Sequence, residues 1–262
     1  MRARIILRSM IPALLLAGLS AASASPEEPA ETAVTAPATA TPAVPVTPGR
    51  PHGAAYDPHG KLDPETQIEI ALKHKAEGRP QETLHTLSMA IDKHPDHARL
   101  YAVRGSLLLE EGRVSPALAD LEKAVTLDPT DAEALTNRAQ AYRQFGRTEQ
   151  ALADLDQAIA INPDFLPARF NRGALRYGTR DLDGALEDFD YCIALDPHLP
   201  GPYFNRAAVR DALGEKDAAI ADLERFLQIS QNEAWNAQAQ EMLEVLRNPE
   251  RVEVAPPPSP HQ

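Results

Sequence analysis

The chain has 262 residues, a net charge of −12, 24 prolines, 13 glycines and a single cysteine. Without residues 1–24, which carry three arginines and no acid, the charge is −15. A field of that sign repels phosphate backbones and anionic lipid, which argues against nucleic-acid and polybasic membrane roles. One cysteine, Cys192, cannot form an internal disulfide, so the fold must be held by packing. That thiol is read as a small buried apolar residue rather than a reactive group.

Residues 1–24 have the layout of a secretory signal. Arg2, Arg4 and Arg8 form a basic region, "MIPALLLAGL" an apolar one, and Ala22-Ser23-Ala24 a small-residue cleavage site. The apolar run from Met10 to Ala22 is shorter than the roughly 18–20 residues of a spanning helix. No cysteine follows to carry a lipid. The expectation is a periplasmic or secreted protein with a cleaved signal; the minority reading keeps the signal as a membrane anchor. Residues 25–61, rich in Pro, Ala and Thr, show no apolar period and are expected to form a disordered, partly polyproline-II linker.

A repeat of 34 residues then begins, in frames 64–97, 98–131, 132–165, 166–199 and 200–233, without insertion or deletion. Position 8 is small in every copy: Ala71, Gly105, Ala139, Gly173, Ala207. Position 20 is Thr83, Ala117, Ala151, Ala185, Ala219, and position 24 is Leu87, Leu121, Leu155, Phe189, Leu223. Gly78, Gly112, Gly146 and Gly214 recur at position 15, where a helix ends in a left-handed turn that glycine adopts cheaply. Pro95, Pro129, Pro163 and Pro197 at position 32 stop a second helix just before them. Each unit is thus predicted to be two antiparallel helices, with small residues at 8 and 20 allowing close approach and the large residue at 24 filling the space beside them. Residues 234–247 follow as one more helix, with Trp235, Ala239, Met242 and Leu246 on one stripe and Asn236, Glu241 and Glu244 away from it. It is placed as the helix that covers the end of the array. The tail, 248–262, is expected to be disordered.

Two further ladders run through the frame. Arg104, Arg138, Arg172 and Arg206 occupy position 7 of units two to five, and Asp120, Asp154, Asp188 and Asp222 occupy position 23 of the same four. The first unit has neither, carrying Ile70 and Thr86. Residue types that appear and vanish together on paired helices are predicted to be partners in a structural ion-pair ladder. Asn137, Asn171 and Asn205 occupy position 6 of units three to five. Helical spacing places positions 2, 5, 6, 9, 12 and 13 on one face, which also carries Gln140, Arg143, Phe170, Tyr177 and Phe204. An amide there can donate to a carbonyl and accept from an N–H, gripping an extended backbone regardless of its sequence. The amides of Asn137, Asn171 and Asn205 are expected to stand open to a ligand, the alternative being that they only tie one helix to the next. The aromatics suggest pockets for ligand side chains and can equally be packing between neighbouring helices.

The array resembles the tetratricopeptide repeat family, in an exported bacterial form given the leader. The resemblance covers 64–233 in five in-phase copies and implies an all-α fold: an α-solenoid of helix–turn–helix units with a terminal covering helix. It also implies that the face bearing Asn137, Asn171 and Asn205 lines a concave groove that binds a protein or peptide. The chain departs from the family pattern at Arg169, Arg176, Arg180 and Arg210, which replace apolar or turn residues. The two-lysine, one-arginine clamp by which some members hold C-terminal carboxylates is missing: positions 2 and 5 carry Arg99, Glu133, Pro167, Gly201 and Ala102, Thr136, Phe170, Phe204. There is no His-Glu-x-x-His, phosphate loop, Gly-x-Ser-x-Gly or dinucleotide fingerprint. His94 and His97, with His85 upstream, are read as loop residues rather than metal ligands. The expected protein is therefore a non-enzymatic adaptor of the cell envelope, without cofactor, metal or small-molecule substrate. Self-association into a scaffold is the first alternative, and an accessory subunit of an envelope enzyme the second.

Overall fold

The computed structural model describes residues 62–248. The leader, the linker and the tail after Asn248 lie outside them. The described residues contain eleven helices and no strand. They fall into two compact units, 62–100 and 101–248.

The first unit holds α1 (Pro64–Ala76), α2 (Pro80–Lys93) and the first turn of α3 (Ala98–Glu110). Asp63 caps α1 by accepting from the Thr66 amide at 3.0 Å, and prolines open both α1 and α2, where a missing N–H costs nothing. Ile68 and Ala71 of α1 are buried with Leu87, Ala90 and Ile91 of α2, the period expected of two amphipathic helices.

The second unit continues through α4 (Val114–Leu127), α5 (Ala132–Gln144), α6 (Thr148–Ile161), α7 (Leu166–Thr179), α8 (Leu182–Leu195), α9 (Pro200–Leu213), α10 (Lys216–Ile229) and α11 (Glu233–Arg247). Each helix from α4 onward packs on the next, and the first helices of successive pairs also touch, α5 on α7 and α7 on α9. That double stacking makes the unit a helical solenoid. The second helix of each pair stops at residue 93, 127, 161 or 195, one residue short of the cap that precedes each proline. In the fifth pair, Gln231 stands in for the proline and α10 still ends at Ile229, because Asn232 caps α11 by accepting from the Trp235 amide.

The turn glycines at 78, 112, 146 and 214 all have positive φ, between 68° and 85°. In the fourth pair Arg180 takes the same turn with φ 72°, bearing the steric cost that glycine avoids. Close approach is equally visible at position 8. A Cβ on Gly173 would stand 3.0 Å from the Phe189 ring and 3.1 Å from Asp188 Cβ, and one on Gly105 would stand 2.7 Å from Leu121 Cγ.

The terminal helix α11 begins one residue earlier than expected, at Glu233, and buries Leu243 besides Ala239, Met242 and Leu246. Trp235 stacks on Phe226 of α10 with ring centroids 6.4 Å apart. Asn236 does not stand clear of the packed face: it is half-buried and donates to Ser230 O at 3.4 Å.

Candidate functional site

The arginine–aspartate ladder is present in all four pairs, always within one pair and always two-pronged. Nε and Nη2 of each arginine reach the two carboxylate oxygens: Arg104 to Asp120 at 2.7 and 2.7 Å, Arg138 to Asp154 at 2.8 and 2.7 Å, Arg172 to Asp188 at 3.0 and 2.6 Å, Arg206 to Asp222 at 2.9 and 2.6 Å. The aspartates are buried and the guanidiniums partly so. The hydrogen bond to Asp154 holds the Arg138 guanidinium above its ordinary pKa. At Arg172, burial alone would lower the pKa, but the bonds to Asp188 and Asp156 outweigh it and push it up.

The ladder has rungs that the repeat pattern did not disclose. Arg172 Nη1 also reaches Asp156 at 2.7 Å, and Arg206 Nη1 reaches Asp190 at 2.6 Å, each in the preceding pair. Both acids occupy position 25. Glu122 and Glu224 occupy it too; Glu122 accepts from Tyr142 Oη at 3.4 Å, and Glu224 pairs with Arg247 of α11. An acid at position 25 in four successive units, reaching forward to the next helix, was the available signal. Arg176 and Arg210, where the repeat family has a large apolar residue, each donate to the same carboxylates, Asp188 at 3.1 Å and Asp222 at 2.8 Å. Arg169 lies over the Tyr191 ring, 3.5 Å from its centroid, and donates to Pro163 O. Three departures from the pattern are thus accommodated by carboxylates, a ring face and a carbonyl.

The face expected to bind a peptide is more closed than anticipated. Asn137, Asn171 and Asn205 are only 5, 3 and 3 % exposed, so the expectation of amides standing open to a ligand is corrected. Phe170 and Phe204 are core residues at 1 and 2 % exposure. Phe170 meets Phe189 edge-to-face at 5.8 Å and Phe204 meets Phe226 at 5.3 Å. Phe170 is also sealed from the next pair, where a Cβ on Gly201 would come within 3.1 Å of its ring. The aromatics therefore pack between neighbouring helices, and the physical reason is the stacking of α7 on α9 along this face.

What remains on the surface of that face lies further along the first helices. Gln140, Arg143 and Tyr177 are half-buried, with Tyr177 packed against the cores on both of its sides. Burial pulls the Arg143 guanidinium below its ordinary pKa. Asn171 divides its amide: Nδ2 donates to Pro167 O one turn back at 2.8 Å, while Oδ1 is buried without a hydrogen-bond partner. Cys192 is wholly buried, and burial pushes its thiol up to about 12. Among the described residues, no three His, Cys, Asp or Glu side chains are grouped as a metal ion would need, and no helix is long and apolar enough to cross a membrane.

Family models described as tetratricopeptide repeat match residues 132–165 and 201–233, and one described as TPR repeat matches 105–146. No curated protein matches the chain in sequence. Among solved structures, a tetratricopeptide repeat protein from Parabacteroides merdae is 24 % identical over 73 % of this chain and 75 % of its own, with a TM-score of 0.62. TTC0263, a thermophilic TPR protein of Thermus thermophilus, is 20 % identical over 71 % of this chain and 99 % of its own, with a TM-score of 0.56. YrrB, titled a TPR protein with an unusual peptide-binding site, is 18 % identical over 68 % of this chain and 92 % of its own, with a TM-score of 0.55. At these identities the likeness is one of fold.

Proposed function

We propose that this chain, which belongs to the tetratricopeptide repeat family, is an adaptor that holds an extended stretch of another protein along the first helices of its third to fifth units. The family is one of protein-interaction modules. The finer reading rests on one observation: the buried Oδ1 of Asn171 has no hydrogen-bond partner, while the other half of the amide is tied to its own helix. A buried acceptor left unsatisfied is rare in folded proteins. Oδ1 is closed to solvent in the free chain, so a backbone N–H of a bound segment satisfies it only where the side chains covering it give way on binding. Tyr177, six residues further along α7, is half-buried and adds an aromatic residue to the part of that helix left at the surface. YrrB, with the same fold, is titled for a peptide-binding site, which supports the class of ligand.

The work is done in the cell envelope, a location supported by the layout of residues 1–24. Mass spectrometry of the protein from its native host should find a chain beginning near Ser25; Met1 retained on most of the material would overturn export by a cleaved signal.

The test of binding is selection of peptides from a random displayed library on the full mature chain, followed by titration of the selected peptides. Asn171→Ala should weaken them by about 1 kcal/mol, the net worth of one hydrogen bond. Tyr177→Ala should weaken them by a similar amount. Selected peptides whose affinity neither change alters bind elsewhere, and the assignment of this face then fails.

A further inference from the structure

We infer that His74 makes the first helix pair an acid-opened element: protonation of this buried imidazole, with neither ring nitrogen hydrogen-bonded, releases residues 64–93 while 101–247 stays folded. His74 occupies position 11 of the first unit, near the end of α1, and is 3 % exposed. Neither Nδ1 nor Nε2 has a hydrogen-bond partner. Other units settle this position differently. The second buries Leu108 there, and the fourth and fifth place Arg176 and Arg210, whose charge is received by the aspartate at position 23. In the first unit position 23 is Thr86, so a cation at position 11 meets no such carboxylate.

The charges that do face His74 cannot replace it. Glu82, from α2, brings Oε2 to 3.7 Å of Nδ1, beyond hydrogen-bond range, and already accepts from Arg79. Arg79 in the turn and Lys73 on α1 are both positive. Burial, and then the Arg79 charge, lower the pKa of His74 below its ordinary value; Glu82 opposes them with a smaller effect. The sign follows. The unfolded chain binds the proton more readily, so the stability that neutral His74 provides is complete above the ordinary histidine value, about 6.5, and is lost as pH falls below it toward the lower value of the folded state.

Two features confine the effect. Residues 62–100 form their own compact unit, and the first pair has no arginine–aspartate rung to brace it. His97 Nε2 lies 3.5 Å from Glu65 Oε1, a second histidine–carboxylate contact in the same unit. A variant is therefore needed to isolate His74.

The experiment is hydrogen exchange on the full chain at about pH 7.5 and about pH 5, corrected for intrinsic rates, with His74→Leu beside it. Leucine is the residue the second unit buries at the same position. In the wild type, amides of 64–93 should lose protection by up to about tenfold per pH unit within the window, with 101–247 unchanged. In His74→Leu that pH response should vanish. An equal response in both proteins overturns the proposal. If the variant does not fold, the ring titration of His74 by NMR in the wild type decides: a value below ordinary histidine supports the proposal, and one at or above it overturns it.

Discussion

Arg172 grips Asp188 with two nitrogens, at 3.0 and 2.6 Å, and with the third reaches Asp156 of the preceding helix pair at 2.7 Å. One planar guanidinium thus ties α7 to both α8 and α6, which a lysine's point charge could not do with the same geometry. Arg206 repeats the arrangement with Asp222 and Asp190. Asp222 also receives Arg210, whereas position 11 of the third unit is Tyr142, which turns to Glu122 instead. The rungs should therefore differ in how much one deletion costs. Arg138→Ala leaves a buried carboxylate without its two-pronged donor and should cost about 1–3 kcal/mol in urea denaturation. Arg206→Ala should cost less, because Arg210 remains on Asp222. The double change Arg206→Ala with Arg210→Ala should exceed the sum of its parts. Equal costs for Arg138→Ala and Arg206→Ala would show that the second donor carries nothing.

Arg180 holds a left-handed conformation, φ 72°, at the turn where four other pairs have glycine. Its side chain is exposed, so nothing in the packing rewards the strain. Arg180→Gly should raise stability by about 1 kcal/mol through relief of the Cβ clash, offset in part by the greater freedom of glycine in the unfolded chain. A thermal melt reads it directly, and a lowered midpoint would mean that the arginine contributes through a long-range interaction.

The helix pairs were readable because the pattern recorded what packing needs at fixed intervals: a small residue at 71, 105, 139, 173 and 207, a glycine or its substitute at the turn, a proline after the second helix. The ladder was readable because arginine and aspartate come and go together. The state of the asparagines was not. Position 6 lies on the face that the repeat resemblance makes concave, but its exposure depends on how closely successive first helices stack, which no single helical wheel contains. Gly201 opposite Phe170 was the nearest hint: a missing side chain on the next helix lets the ring seat there, and the same closeness buries Asn171. Arg176 and Arg210 were misleading for a related reason. An arginine at an apolar position looks like a packing defect until the carboxylate that receives it, 12 residues on, is seen already to be part of the ladder.

Cys192 tests the burial of the fourth pair. With the thiol wholly buried and its pKa raised to about 12, it has almost no thiolate at neutral pH and no path to a reagent. A disulfide-exchange dye should leave the native chain unlabelled and label it fully in denaturant. Fast labelling without denaturant would mean that the pair opens locally far more often than its packing implies.

Gly173 and Phe189 carry the last prediction. Position 24 is leucine in four units and phenylalanine only in the fourth, and in that unit position 8 is glycine. The packing gives the reason: a Cβ on Gly173 would lie 3.0 Å from Cε1 and 3.1 Å from Cζ of Phe189, and 3.1 Å from Asp188 Cβ. Phe189 is fully buried and already braced by Phe170, so it has little room to move. On helix propensity alone Gly173→Ala should stabilise by about 1 kcal/mol. Overpacking a filled core costs about 1–3 kcal/mol and should win. Phe189→Leu alone should also destabilise, by opening space beside Gly173 and Phe170. The double change recreates the alanine–leucine combination of the first, third and fifth units, so it should cost clearly less than the two single changes added together. Urea denaturation of the three variants supplies the cycle. A double mutant that is merely additive would mean that the two residues were not chosen for each other, and that the glycine answers to Asp188, and through it to the Arg172 rung, instead.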